Sequence, residues 1–326
     1  MAILLTISCK QKGGETDMAK QELNSAQQDK IILTAPKPFH FAQTLRYLTR
    51  SPHECMFHVE HDKIYRLLNV EGQSVIVEIS GDDDALTVRL VKHGAMTAAL
   101  QVAIVRYVRD WFDFDRDLKP FYAQVAQCPL LGPLARQYAG LRIIGVPDLF
   151  EALCWAISGQ QINLAFAYTL KRRLVESFGA QETWNQRSYW LFPTAKTVSQ
   201  LDVRDLTALQ FTQRKAEYLL EIAAQIRDGA LSKDGLLALG DFKKAEQRLL
   251  QIRGIGPWTA NYVMMRCLRN PAAFPVADVG LQNAVKARLG TDEKPTPETL
   301  QILARAWSGW EAYATFYLWQ SLYHTA

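Results

Sequence analysis

Apolar residues recur at helical spacing over residues 40–48, where Phe41, Leu45 and Leu48 share one side and Ser51-Pro52 stops the run. Segments 55–59, 64–70, 74–79 and 86–91 instead alternate apolar with polar residues, between turns such as Glu71-Gly72 and Gly81-Asp82-Asp83-Asp84. A period of two turns one face of each segment inward, which predicts antiparallel strands. Helical spacing returns over 98–112, with Leu100, Ile104, Val108, Trp111 and Phe112 on one side. After Lys119-Pro120 the alternation fades, and helical windows follow at 149–157, 163–178, 203–209, 214–227, 242–251, 258–268 and 281–289. The pattern predicts an α+β chain: a small antiparallel sheet with helices over 30–118, then an all-helical region over 119–326.

Composition narrows the class. A chain of 326 residues with 48% hydrophobic and 21% charged residues can bury about two ordinary cores, which excludes wholesale disorder and collagen. Residues 1–29 are different. Their apolar start, Met1 to Ile7, is too short and lacks the basic residues of an export signal, and the polar stretch that follows predicts a disordered extension, with Met18 as an alternative start. Cys9, Cys55, Cys128, Cys154 and Cys267 stand singly, so neither a zinc ribbon nor a disulfide framework is expected and a cytoplasmic setting fits. Residues 152–170 carry no charge, but Ser158, Gly159, Gln160, Gln161 and Asn163 interrupt them, as expected of two soluble helices rather than a membrane span. The net charge of +4 permits a nucleic-acid partner without requiring one.

The chemistry concentrates in Leu249-Leu250-Gln251-Ile252-Arg253-Gly254-Ile255-Gly256-Pro257-Trp258-Thr259-Ala260, a helix, a turn with two glycines, and a second helix opened by proline. This is a helix-hairpin-helix signature. Glycines can adopt positive φ, so successive N–H groups can converge on an anion, and a DNA phosphate can dock without its base being read. Pro275-Val276-Ala277-Asp278 follows, and Asp278 stands before the next helical window as an N-cap would.

The run from Leu249 to Asp278 resembles the helix-hairpin-helix DNA glycosylase superfamily, whose signature couples the hairpin to a downstream essential aspartate. Gly140 to Gly145, Phe150-Glu151-Ala152, Ile157 to Ile162, Phe192-Pro193-Thr194, Arg214 to Glu217 and the aromatic stretch from Trp307 to Trp319 resemble its DNA-3-methyladenine glycosylase II branch over nearly the whole chain after residue 30. That resemblance implies a small β-rich domain before two helical subdomains facing each other across a cleft. It also implies excision of alkylated bases from double-stranded DNA, by a monomer, in base excision repair.

Residue roles follow from the same resemblance. Asp278 would be catalytic; Trp258, Tyr262 and Trp319 would form the base pocket; and Gly254, Ile255, Gly256 and Thr259 would meet DNA at the hairpin. Gln161 and Ile162 would wedge into the duplex beside the flipped base. Relatives that also cleave the strand carry a lysine where this chain has Trp258, and an indole cannot form a Schiff base, which implies a monofunctional enzyme. No cysteine follows Cys267, so the iron-sulfur cluster of some members is not expected, and the only cofactor allowed for is a monovalent cation at the hairpin. Val279, Gly309, Glu311 and Ala312 depart from the branch pattern and leave its substrate range open. Two other readings stand as alternatives: a damage-binding protein without turnover, and a glycosylase for uracil or hypoxanthine.

Overall fold

The computed structural model describes residues 30–92 and 96–323; the extension expected over 1–29 lies outside the described residues. Strands β1 (Lys30–Thr34), β2 (His58–Glu60), β3 (Lys63–Val70), β4 (Gln73–Gly81) and β5 (Ala85–Lys92) form one antiparallel sheet in the order β1-β5-β4-β3-β2. Helix α1 (Phe41–Leu48) joins β1 to the rest, and α2 (Ala98–Trp111) lies across the sheet. Ile64, Leu68, Val75, Val77, Ile79 and Val88 share a buried core with Leu100, Ile104, Val108 and Trp111, the faces that alternation and helical spacing assigned inward.

Two details differ from the sequence pattern. Strand β2 begins later than residue 55, because the amides of Cys55 and Met56 both donate to Glu54 Oε1, at 2.9 Å, and hold a buried turn instead of a ladder. The region after residue 119 is not wholly helical either. Strands β6 (Gln181–Trp184) and β7 (Arg187–Trp190) make a hairpin whose Tyr189 packs against Leu67 and Ile76, on the far face of the main sheet.

Helices α3 (Lys119–Val125), α4 (Gly132–Gln137), α5 (Leu149–Ser158), α6 (Leu164–Phe178), α7 (Ala195–Val198), α8 (Val203–Ala208), α9 (Gln213–Arg227), α10 (Lys233–Leu237), α11 (Phe242–Leu250), α12 (Pro257–Arg266), α13 (Val279–Leu289), α14 (Pro297–Ala304) and α15 (Glu311–Ser321) complete the fold. They pack in two groups. Helix α5 touches α6, α9 and α12, α9 also touches α7 and α8, and α12 rests on α11; separately, α13 packs on α15, which also contacts α4. The uncharged stretch 152–170 is the α5–α6 pair with a turn between, and no helix among the described residues is long and apolar enough to cross a membrane.

Charged side chains join the sheet to the helices. Arg142 is fully buried, with Nη1 donating to Asp113 O at 2.6 Å and Arg116 O at 2.8 Å. Lys171 on α6 sits 3.0 Å from Glu54 and 3.5 Å from Glu151 on α5, and Arg66 on β3 sits 3.6 Å from Glu151. Burial alone would raise the Glu54 carboxyl, but the Lys171 ammonium and the Met56 amide outweigh it and bring the pKa down from 4.5 to about 2. A depressed carboxyl stabilises the fold above its unfolded pKa and loses that contribution as pH falls through the folded one. Between pH 5 and pH 2 the parent should therefore lose roughly 3 kcal/mol more unfolding free energy than Glu54→Gln, measured by urea titration at each pH; equal losses would show that Glu54 is not held this way.

Candidate active site

The hairpin between α11 and α12 forms, and its two glycines act differently. Gly254 has φ +87°, and a Cβ there would run into the Tyr218 ring of α9. Gly256 does not use positive φ as the sequence pattern suggested: at φ −91°, ψ 177° it is an extended N-cap, and a Cβ on it would meet nothing within 4 Å. Its missing side chain leaves the turn open on the outside. With Pro257 opening α12, the amides of Gly256, Trp258 and Thr259 precede the first intrahelical donor, Ala260 N, and are the donors that an anion could use.

Ile255 and Thr259, expected to meet DNA at the hairpin, turn their side chains inward. Ile255 is buried in the core, and buried Thr259 accepts a hydrogen bond from Gln160 Nε2 at 3.0 Å. Both brace the hairpin from within, so only their main chain can take part in binding. Gln160, to which sequence reasoning gave no role of its own, also donates to Gly254 O at 2.9 Å and ties the α5–α6 turn to the hairpin. Lys215 on α9 secures that turn from below, its Nζ 2.8 Å from both Ser158 O and Gln160 O. Beyond this brace Gln161 is exposed in the left-handed conformation, φ +56°, while Ile162 is half-buried against the core. Gln161 is thus the member of the pair placed to project.

Asp278 caps α13, Oδ1 accepting from Leu281 N at 2.6 Å. The cap is only part of its bonding. Trp319 Nε1 on α15 donates to the same oxygen at 2.7 Å, and Trp258 Nε1 on α12 donates to Oδ2 at 2.9 Å. Indole N–H is a neutral donor, so the carboxylate is fixed on both oxygens, and it forms no ion pair among the described residues. The bond to Trp258 also crosses from one helix group to the other. Tyr262 stacks on Trp258 with centroids 5.6 Å apart and faces Trp319 at 6.3 Å, which brings all the expected pocket residues together. Tyr262 is 5% exposed, whereas the two tryptophans are half-buried, so the wall is part core and part open surface.

Two small residues shape this contact without having been singled out from the sequence. A Cβ on Gly280 would lie 3.0 Å from Asp278 Oδ1 and 3.3 Å from the Trp319 ring, so a glycine lets the indole reach the carboxylate. Asn261, one turn along α12 from Trp258, accepts from Phe274 N at 2.9 Å and donates to Glu246 at 2.7 Å, anchoring the loop that delivers Asp278. Val279 is 56% exposed beside the carboxylate, which leaves that side of the site open.

Comparison with known proteins agrees with this fold. Residues 154–310 match the model of the HhH-GPD superfamily of base excision DNA repair proteins, and residues 30–148 match the AlkA N-terminal domain. The chain is 43% identical to a Bacillus subtilis DNA-3-methyladenine glycosylase, over 90% of this chain and 98% of that one. It is 30% identical to DNA-3-methyladenine glycosylase 2 of Escherichia coli, over 58% and 63%. Among solved structures, 3-methyladenine DNA-glycosylase from Archaeoglobus fulgidus superposes with a TM-score of 0.74, at 21% identity over 90% of this chain and 99% of that one. A Clostridium acetobutylicum 8-oxoguanine glycosylase/lyase bound to double-stranded DNA gives 0.71, at 17% identity over 90% and 94%. The chain belongs to the HhH-GPD superfamily of base excision DNA repair proteins, on its DNA-3-methyladenine glycosylase branch.

The two glycines give separable variants. Gly256→Val should keep the parent's thermal midpoint and weaken binding to any duplex about tenfold, with a shallower salt dependence. Gly254→Ala should instead lower the midpoint, because the ring of Tyr218 and the positive φ both oppose a side chain. Parent-like duplex affinity in Gly256→Val, measured by fluorescence anisotropy, would show that the open turn is not the grip.

Proposed function

We propose that this protein is a monofunctional DNA glycosylase that flips an alkylated purine of the 3-methyladenine type out of double-stranded DNA and hydrolyses its N-glycosidic bond. The observation that carries the reading is the Asp278 carboxylate, held on both oxygens by neutral indoles at the edge of an aromatic wall. As the bond from sugar to base breaks, its electron pair leaves with the base and the sugar becomes cationic. A fixed carboxylate stabilises that cation more than the neutral ground state, and water then adds to the sugar carbon while its proton passes to solvent. Alkylated bases are electron-poor and suit stacking on Trp258, Tyr262 and Trp319.

Trp258 supports the monofunctional part of the reading, since a donor-only indole cannot form the imine that a strand-cleaving relative needs. Gln161 is the residue proposed to fill the gap left by the flipped base. The reaction calls for no cofactor. A monovalent cation at the hairpin fits this turn, because Gly254 O and Ile252 O each accept one hydrogen bond and each carbonyl oxygen has a second lone pair. The protein would act as a monomer on chromosomal DNA, in the cytoplasm or on the nucleoid.

Asp278→Asn tests the mechanism. The amide keeps an oxygen for the helix cap, but its NH2 then opposes one indole N–H, so a cost of about 1 kcal/mol in stability is expected while the fold persists. Release of 3-methyladenine and of a lesion with a stronger glycosidic bond should both fall at least about a hundredfold. Parent-like release of both from a folded variant would reduce Asp278 to a cap. Borohydride should trap no covalent adduct with lesion DNA; an adduct lost on replacing one lysine would mark the protein as a lyase.

A further inference from the structure

Gln161 projects from a turn, residues 159–163, that is fastened from two sides. Its neighbour Gln160 is held through both side chain and main chain. Gln160 Nε2 donates to Gly254 O at 2.9 Å and to Thr259 Oγ1 at 3.0 Å, while Gln160 O accepts from Lys215 Nζ at 2.8 Å. Lys215 is 8% exposed, gives a second bond to Ser158 O at 2.8 Å, and forms no ion pair with a carboxylate among the described residues. Burial disfavours its charge and lowers its pKa, and the carbonyls at the negative end of α5 offset that cost. At the far end of the turn Asn163 caps α6, Oδ1 accepting from Phe166 N at 2.8 Å.

The peptide group joining Gln160 to Gln161 is planar, so an ammonium bound to its oxygen also sets the direction of the Gln161 N–H. That matters because Gln161 stands in the left-handed region, φ +56°, where a side chain is disfavoured and which an unheld turn would leave. At its other end the Gln160 side chain grips Gly254, two residues before Gly256 and the open face of the hairpin. One glutamine thus spans the gap between the hairpin and the residue proposed to replace the flipped base. We infer that Gln160 and Lys215 are positioning residues for base flipping: together they hold Gln161 at a fixed offset from the hairpin before DNA arrives, so that its side chain enters the base stack without first having to be ordered. The inference rests on the glycosylase reading and on Gln161 as the filling residue, and goes beyond both by naming what sets the spacing. Such preordering contributes most where the base must be drawn away from a partner, and least where the base is already loosely held.

Single-turnover release of 3-methyladenine from duplexes that place it opposite thymine or opposite an abasic analogue tests this, with the full-length parent, Gln160→Met, Lys215→Met and Gln161→Ala. The parent should release the base from both duplexes. In each variant the ratio of release from the paired site to release from the unpaired site should fall about tenfold. Gln160→Met keeps the side-chain length and loses both donors. Lys215→Met loosens the same turn without touching the hairpin's own bonds, and it decides the question if Gln160→Met does not fold. Equal losses on the two duplexes in both of these variants, or an unchanged ratio in both, would overturn the inference and make the two residues ordinary braces of the fold. An unchanged ratio in Gln161→Ala would overturn it by removing the filling residue, while leaving the glycosylase reading intact. Release from neither duplex by the parent would overturn both.

Discussion

One carboxylate depends on three helices. Asp278 starts α13, its second oxygen is held by an indole of α12, and its first is shared between its own helix and an indole of α15. Had an arginine or lysine held it instead, the opposing charge would have cancelled much of its field at the aromatic wall. Neutral donors fix position and leave the charge whole. The arrangement requires the two helix groups to meet closely, which Gly280 permits by absence of bulk and Asn261 enforces by anchoring the preceding loop. Distortion at any of these points would move the carboxylate relative to the aromatic wall.

Much of this was legible in the sequence because it is local. The hairpin glycines, Pro257 and the spacing of Trp258 and Tyr262 on one helix sit within a single short run, and the strands announced themselves by alternation. Trp319 could be placed only through family resemblance, since nothing local links α15 to the hairpin. Contacts between distant segments left no mark: Gln160 appeared as a turn residue and Lys215 only as part of a family-like stretch, although each closes a long-range bond to a main-chain carbonyl. The β6-β7 hairpin escaped notice because its strands have four residues each and only Tyr189 is deeply buried.

Charge at the seam is likewise not legible from the sequence. Arg142, Lys171 and Glu151 are residue types normally solvated, yet each is buried where the sheet meets the helices. Their partners come from both parts of the chain, so removing one side would leave an unmatched charge inside the other. The sheet and the helical region are therefore a single stability unit at this seam, even though the family models meet near it.

The open turn at Gly256 also bears on how such a protein travels. A grip made of main-chain amides meets the same phosphate at every nucleotide step, because the backbone repeats while the bases vary. With such a grip, the free-energy profile for one-dimensional diffusion along a duplex would be nearly level, without deep minima to trap the molecule at favoured sequences. Time spent at any position would be governed by how readily the base there leaves its stack, so mechanical weakness of the helix, rather than its text, would set where the search pauses.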